Sequence, residues 1–151
     1  FQPKPIAGAI DLVKQLHSFG YRLGVATGST RSVAEDILTK VGLRKYFQKL
    51  VTSEDVQFSK PHPQPYQMLL KQLGIDGKYA LVIENAPLGI QSAIAANLCC
   101  FAVASTNAPE ILSDADKVFI SLDEMSFFLK DEFKEAQQAN RWEFLSLEMG
   151  M

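Results

Sequence analysis

The chain has 151 residues, a formal net charge of −2 and a hydrophobic fraction of 47%. This length fits one domain with a substantial core, and the small negative charge gives no electrostatic signal for nucleic acid or for an anionic membrane. The apolar runs are much shorter than a membrane span, and the adjacent Cys99 and Cys100 are typical of buried, reduced thiols, so the sequence predicts a cytoplasmic protein.

Apolar runs of strand length alternate with amphipathic segments of helix length, which predicts an α/β fold with a parallel sheet covered by helices. The predicted elements, in chain order, are helix 9–19, strand 22–27, helix 32–41, strand 50–52, helix 63–73, strand 80–84, helix 87–96, strands 100–104 and 118–120, and helix 121–134. Ser32, with Glu35 three positions later, predicts a capping box at the second helix. Asn97 is expected to end the fourth helix in a left-handed conformation.

Polar residues follow three of these strands, in the loops ATGST, SEDVQFSKPHP and ENAPLG. Doubly wound sheets bind ligands beyond the carboxyl ends of their strands. We therefore expect the three loops to meet at one edge of the sheet.

The first loop presents Thr27, Gly28 and Ser29 after a strand and before a helix. A hydroxyl together with backbone N–H groups at a helix N-terminus can form a phosphate cradle, and glycine leaves room for a ligand. The same residues could form only an ordinary helix cap, which Ser and Thr do routinely.

The second loop holds Lys60 between Ser59 and Pro61. Proline favours an extended backbone at the residue before it, so the ammonium is presented on a stiff arm and could neutralise a phosphoryl group and a carboxylate together. The alternative is a solvated loop lysine. His62, on the same arm, is expected to be a surface residue.

The third loop begins with Glu84 and Asn85 at the end of an apolar strand. Mg²⁺ prefers hard oxygen ligands of these types. A helix cap in front of Pro87 is an alternative interpretation, and the two are compatible.

In this order and spacing, GVATGS, SKPHPQPY and LVIENAPLGIQSAIAAN resemble the second, third and fourth motifs of the haloacid dehalogenase superfamily. The likeness is greatest to its phosphatase and β-phosphoglucomutase-like subgroup, and it extends from about residue 5 to about residue 129. It implies a three-layer Rossmann-like core and Mg²⁺-dependent phosphoryl transfer on a small phosphorylated metabolite.

By this resemblance, Thr27 and the Gly28 N–H would bind the phosphoryl group and Lys60 would balance its charge. Glu84 and Asn85 would help to bind Mg²⁺. The family usually has a second acid where this chain has Asn85, so the metal would depend more on other ligands.

The family's first motif, an Asp-x-Asp at the end of the central strand, is missing, and so is the helical cap. The first Asp of that motif is the nucleophile and the second is the general acid and base. Asp114-Ala115-Asp116 follows a serine instead of an apolar strand and is not expected to replace it.

We therefore expect the chain to be the C-terminal core part of a longer phosphomonoester phosphatase, without its first strand and cap, and inactive alone. Without a central strand, two sheet edges would be unpaired, so the neighbouring strands must close the gap or a second chain must fill it.

Residues 1–130 are expected to form this partial core, and residues 131–151 a C-terminal helical tail. The apolar tail residues are expected to pack on their own sheet more readily than on a partner or a second copy; they are Trp142, Phe144, Leu147 and Met149. Two alternative functions remain: a catalytically inactive phosphate-binding or protein-interaction module, and a sugar phosphomutase of the β-phosphoglucomutase type.

Overall fold

The structure is a computed structural model that describes residues 2–139 and 144–147. The helices are α1 (Ala9–Ser18), α2 (Arg31–Lys40), α3 (Gln64–Leu73), α4 (Pro87–Ala95) and α5 (Leu122–Ala139). The strands are β1 (Arg22–Ala26), β2 (Lys49–Val51), β3 (Ala80–Glu84), β4 (Cys99–Val103), β5 (Lys117–Phe119) and β6 (Phe144–Leu147). No helix in this part of the chain is both long and apolar enough to cross a membrane.

All strand pairs of the sheet are parallel, and the strand order is β2-β1-β6-β3-β4-β5. Successive residues of each strand point to opposite faces, so both faces of the sheet carry apolar side chains. Leu23 and Leu81 belong to one core with α1, α2 and α5, whereas Ala26 and Val82 belong to the other core with α3 and α4. The predicted three-layer α/β fold is confirmed.

The two predictions about helix ends have different outcomes. Asn97 follows α4 with φ 58°, the left-handed conformation expected of it. The capping box at Ser32 and Glu35 is wrong, because α2 begins at Arg31 and its preceding residue makes no side-chain cap. The Glu54 carboxylate accepts the Arg31 N–H at 2.6 Å instead, and Glu35 pairs with Arg44, so tertiary contacts replace the local motif.

The centre of the sheet is filled by β6. In the register, Phe144 lies opposite Arg22 of β1 and Ala80 of β3, and Leu147 lies opposite Ile83. The sequence analysis expected either the neighbouring strands to close the gap or a second chain to fill it. In the structure a strand from a later segment of the same chain, β6, occupies the gap instead.

In the part of the segment after residue 130 that the structure describes, α5 continues to Ala139 and residues 144–147 form a strand, where the sequence predicted a helical tail. The sequence FLSL at 144–147 is short and mostly apolar, and the facing edges of β1 and β3 offer backbone partners that would stay unpaired if this segment were a helix. Trp142 and Met149 lie outside the described residues, and docking of the tail on a partner remains a prediction.

Both cysteines are free thiols at the start of β4. Burial raises the pKa of the Cys99 thiol to about 11, with the nearby Asp116 carboxylate adding to the effect. Burial also raises the pKa of Cys100. Asp116 accepts the Cys100 N–H at 2.8 Å, so this carboxylate supports the amino end of β4. Glu84 lies at the other end of the strands, the carboxyl end of β3.

We expect the two thiols to resist alkylation, because only the thiolate reacts and a raised pKa keeps it scarce. At pH 8, iodoacetamide should label the native chain at least about a hundredfold more slowly than the urea-unfolded chain. Mass spectrometry of timed samples measures both rates. Equal rates would contradict the burial described for this strand.

Candidate functional site

The three polar loops meet at the carboxyl edge of the sheet, as predicted. Lys60 connects them: its Nζ donates to the Ala26 carbonyl oxygen at 2.9 Å and to Glu84 Oε1 at 2.8 Å. The Lys60 side chain is only 14% exposed, so the alternative of a solvated loop lysine is wrong. The ammonium is fixed between the ends of β1 and β3.

Glu84 is 1% exposed, and both of its carboxylate oxygens have protein donors. Oε1 accepts from Lys60 and from the hydroxyl of Tyr66, and Oε2 accepts from the Asn85 N–H at 3.3 Å. A Cβ at Gly89 would lie 2.0 Å from the Glu84 carboxyl carbon, so only glycine lets α4 pack over this carboxylate.

The first loop has features of both alternatives considered for it, a local turn and an open phosphate cradle. Thr27 is buried, and its Oγ1 accepts the Ser29 N–H at 3.2 Å, which is a local turn bond. Gly28 is open, since a Cβ built there would meet no atom within 4 Å. The Ser29 carbonyl oxygen accepts from the N–H of Ser53 at 3.0 Å and from its hydroxyl at 3.1 Å, which joins the first loop to the second.

A cavity of about 250 Å³ lies beside these groups, and its lining residues are Thr27, Gly28, Ser53, Val56, Ser59, Lys60 and Pro65. One wall carries hydroxyls, a glycine and an ammonium. The rest is small or apolar. This combination suits an anionic group attached to a small organic molecule.

Asp55 holds the second loop in place. Its Oδ2 accepts from the Thr52 N–H at 2.7 Å, from the Thr52 hydroxyl at 2.8 Å and from Arg31 at 2.7 Å. Burial acts to raise the pKa of Asp55, but the hydrogen bonds from Thr52 and Arg31 hold it below its usual value. The loop is thereby tied to the start of α2.

The arm that carries Lys60 is fixed at a second point by α4. The Ser92 hydroxyl is fully buried and donates to the His62 carbonyl oxygen at 2.7 Å. The His62 ring itself is on the exposed surface, stacked on Phe58 at 4.7 Å between ring centroids. This is the surface position expected for that histidine.

Asn85 is 6% exposed, yet its side-chain amide makes no hydrogen bond to any residue in 2–139 or 144–147. Its backbone oxygen accepts from Asn107 at 3.0 Å. A buried amide without a protein partner costs free energy, which a bound ligand, metal ion or water would recover. Within the described ranges, no three His, Cys, Asp or Glu side chains are grouped as a metal site.

Sequence reasoning missed Tyr66, Ser92 and Asp55. Tyr66 ends the SKPHPQPY motif but was given no role of its own, and Ser92 lies in a helix rich in alanine. Buried hydroxyls on otherwise apolar helix faces were the available signal, because such groups need a hydrogen-bond partner.

Comparison with known proteins agrees with this geometry. Residues 2–103 match the model of the haloacid dehalogenase-like hydrolase family. The fold and the three loops therefore define the class, and the chain belongs to the haloacid dehalogenase-like hydrolases, in their phosphatase and β-phosphoglucomutase-like subgroup.

Over 120 residues the chain is 34% identical to validoxylamine A 7′-phosphate phosphatase from Streptomyces hygroscopicus subsp. limoneus, covering 80% of this chain and 56% of that protein. CbbY from Rhodobacter sphaeroides, solved in complex with phosphate, matches with a TM-score of 0.74 and 26% identity, covering 80% of this chain and 55% of that one. A β-phosphoglucomutase from Clostridium difficile shares the fold, with a TM-score of 0.74 and 24% identity over 86% of this chain and 56% of that one. The chain spans about half the length of the curated relatives it matches first.

Proposed function

We propose that this chain is the C-terminal core part of a cytoplasmic phosphomonoester phosphatase that acts on a small phosphorylated metabolite. The observation that carries the proposal is the Lys60 ammonium, which is held beside the open backbone of Gly28 at the wall of the cavity. The phosphatase among its relatives supports the same reaction class.

In this proposal the chain supplies the groups that bind and orient the phosphoryl group. The Thr27 hydroxyl and the Gly28 N–H donate to its oxygens, Lys60 offsets its negative charge, and Ser29 supports the loop through its backbone. Positioning and charge stabilisation provide much of the rate enhancement in phosphoryl transfer.

The nucleophile is not part of this set. Glu84 is the fully buried carboxylate at this edge, and Lys60 and Tyr66 already bind it, so it does not face the cavity as an attacking group. We propose that the attacking carboxylate belongs to a segment of a longer protein outside the described residues. The chain alone is then a binding site without hydrolytic activity.

Mg²⁺ is part of the proposal, and this chain fits it in part. The Asn85 side-chain oxygen is the better candidate ligand because the amide is buried and has no partner among the described residues. Glu84 Oε2, which among the described residues accepts only the Asn85 N–H at 3.3 Å, is the second candidate. When bound, the ion would supply positive charge near the phosphoryl oxygens.

A non-catalytic phosphate-binding module is the second candidate function, favoured by the engagement of Glu84. The sugar phosphomutase alternative is supported by the likeness of this chain to solved structures named as β-phosphoglucomutases. Measuring hydrolysis of a phosphomonoester by the longer protein, with and without Mg²⁺, distinguishes the phosphatase from the non-catalytic module, because only the phosphatase would release phosphate.

Replacing Lys60 by Met should weaken binding of inorganic phosphate at least about tenfold, because the charge at the cavity wall is lost. A lone Lys60→Met change also leaves the Glu84 carboxylate buried and unpaired, which destabilises the fold. The matched variant is therefore Lys60→Met with Glu84→Gln, which removes both charges. Isothermal titration calorimetry measures the affinity, and Lys78→Met, at an exposed lysine, is the control.

A folded double variant that binds phosphate as tightly as the wild-type chain would contradict this site. Failure of the wild-type chain to bind phosphate at all would contradict the proposed function itself.

A further inference from the structure

Tyr66 lies directly beneath the site without reaching the cavity. Its side chain is 0% exposed, and it is not among the residues that line the cavity. Its hydroxyl donates to Glu84 Oε1, and its ring lies 5.1 Å from Lys60 Nζ. One side chain thus contacts both members of the buried ion pair.

The same carboxylate oxygen therefore receives two donors. Lys60 Nζ lies 2.8 Å from Glu84 Oε1, and the Tyr66 hydroxyl donates to that oxygen as well. The second oxygen is left with the Asn85 N–H at 3.3 Å. The phenol fixes the rotation of the carboxylate, and the carboxylate then sets where the ammonium lies.

The ring has a separate effect on the ammonium. A cation within about 6 Å of an aromatic ring is attracted to its face, most strongly where water is excluded. The Lys60 ammonium therefore lies against the Tyr66 ring and donates to Glu84, and it also donates to the Ala26 carbonyl oxygen at 2.9 Å. Its long side chain would otherwise sample many rotamers.

We propose that Tyr66 is a positioning residue, which holds the Glu84–Lys60 pair in the geometry that binds the phosphoryl group and never touches the substrate. This inference rests on the proposed phosphate-binding function of the site. A residue that served only to fill the core would need no hydroxyl, since phenylalanine fills nearly the same volume without a buried polar group.

The test compares Tyr66→Phe with Ser92→Ala. Each removes one buried hydroxyl that supports the Lys60 arm, but only Tyr66 contacts Glu84. Both variants should lower the melting temperature. Tyr66→Phe should weaken phosphate binding at least about fivefold by calorimetry, and Ser92→Ala should stay within about twofold of wild type.

A second measurement does not depend on phosphate. Proton–nitrogen correlation spectra of the lysine ammonium groups should contain one slowly exchanging signal from Lys60, assigned by its loss in the Lys60→Met, Glu84→Gln variant. Tyr66→Phe should broaden or abolish this signal, and Ser92→Ala should retain it.

Unchanged phosphate affinity and an unchanged ammonium signal in Tyr66→Phe would overturn the inference and leave Tyr66 as a core residue. Equal losses in Ser92→Ala would also overturn it, because the effect would then be general loosening of the arm. The absence of a slowly exchanging Lys60 signal in the wild-type chain would also overturn the inference. If the wild-type chain binds no phosphate, the proposed function fails, while the ammonium signal still decides the role of Tyr66.

Discussion

A chain shortened to end at Ala139 is expected not to fold, because it loses β6 from the middle of the sheet. β6 pairs along β1 on one side and along β3 on the other. Without it, backbone groups on two buried strands lose their partners, at about 1–3 kcal/mol each. Several such losses exceed the roughly 5–15 kcal/mol by which domains are stable.

The matched control ends at Leu147, so that it keeps β6 and removes only residues 148–151. It should retain the circular dichroism spectrum and a cooperative urea transition, whereas the chain ending at Ala139 should aggregate or show no transition. A monomer ending at Ala139 with the control's urea midpoint would refute the central position of β6.

Gly89→Ala is expected to destabilise the chain by at least about 3 kcal/mol, although alanine normally favours a helix over glycine. The added Cβ would lie 2.0 Å from the Glu84 carboxyl carbon. Glu84 is buried and bonded to Lys60 and Tyr66, so it cannot move aside without breaking a buried ion pair, a loss of about 3–5 kcal/mol.

Gly28→Ala is the matched control, because a Cβ at Gly28 meets nothing within 4 Å. Its free energy of unfolding should stay within about 0.5 kcal/mol of wild type. Urea unfolding followed by circular dichroism compares the three chains. If Gly89→Ala falls within 1 kcal/mol of wild type, on the order of ordinary surface changes, the packing of α4 on Glu84 is not as described.

Much of the fold was predictable because its signals are local. Five strands and five helices follow from runs of apolar residues and their spacing, and the position of the three loops follows from the rule that parallel strands end at one edge. From that rule the sequence predicted that the loops carrying Thr27, Lys60 and Glu84 meet at one edge of the sheet.

The features that were missed depend on contacts between distant parts of the chain. Nothing within residues 144–147 indicates which strand edges they will join, since three apolar residues and a serine fit many places in a sheet. The hydroxyl of Tyr66 acquires its role only when α3 packs on β1 and β2 and the phenol reaches Glu84 at the end of β3. The predicted capping box is absent for the same reason, because the Glu54 carboxylate, from a later loop, accepts the Arg31 N–H at the start of α2.

The position of β6 also has a consequence for biosynthesis. β1 and β3, which it joins, are made well before it, and they do not pair with each other. On the ribosome, the half-sheets β2-β1 and β3-β4-β5 cannot join into one sheet until β6 emerges. The sheet, and with it the alignment of Thr27 with Glu84, is completed only after β6 has been synthesised, so the strands on either side of it pair into one sheet late in folding.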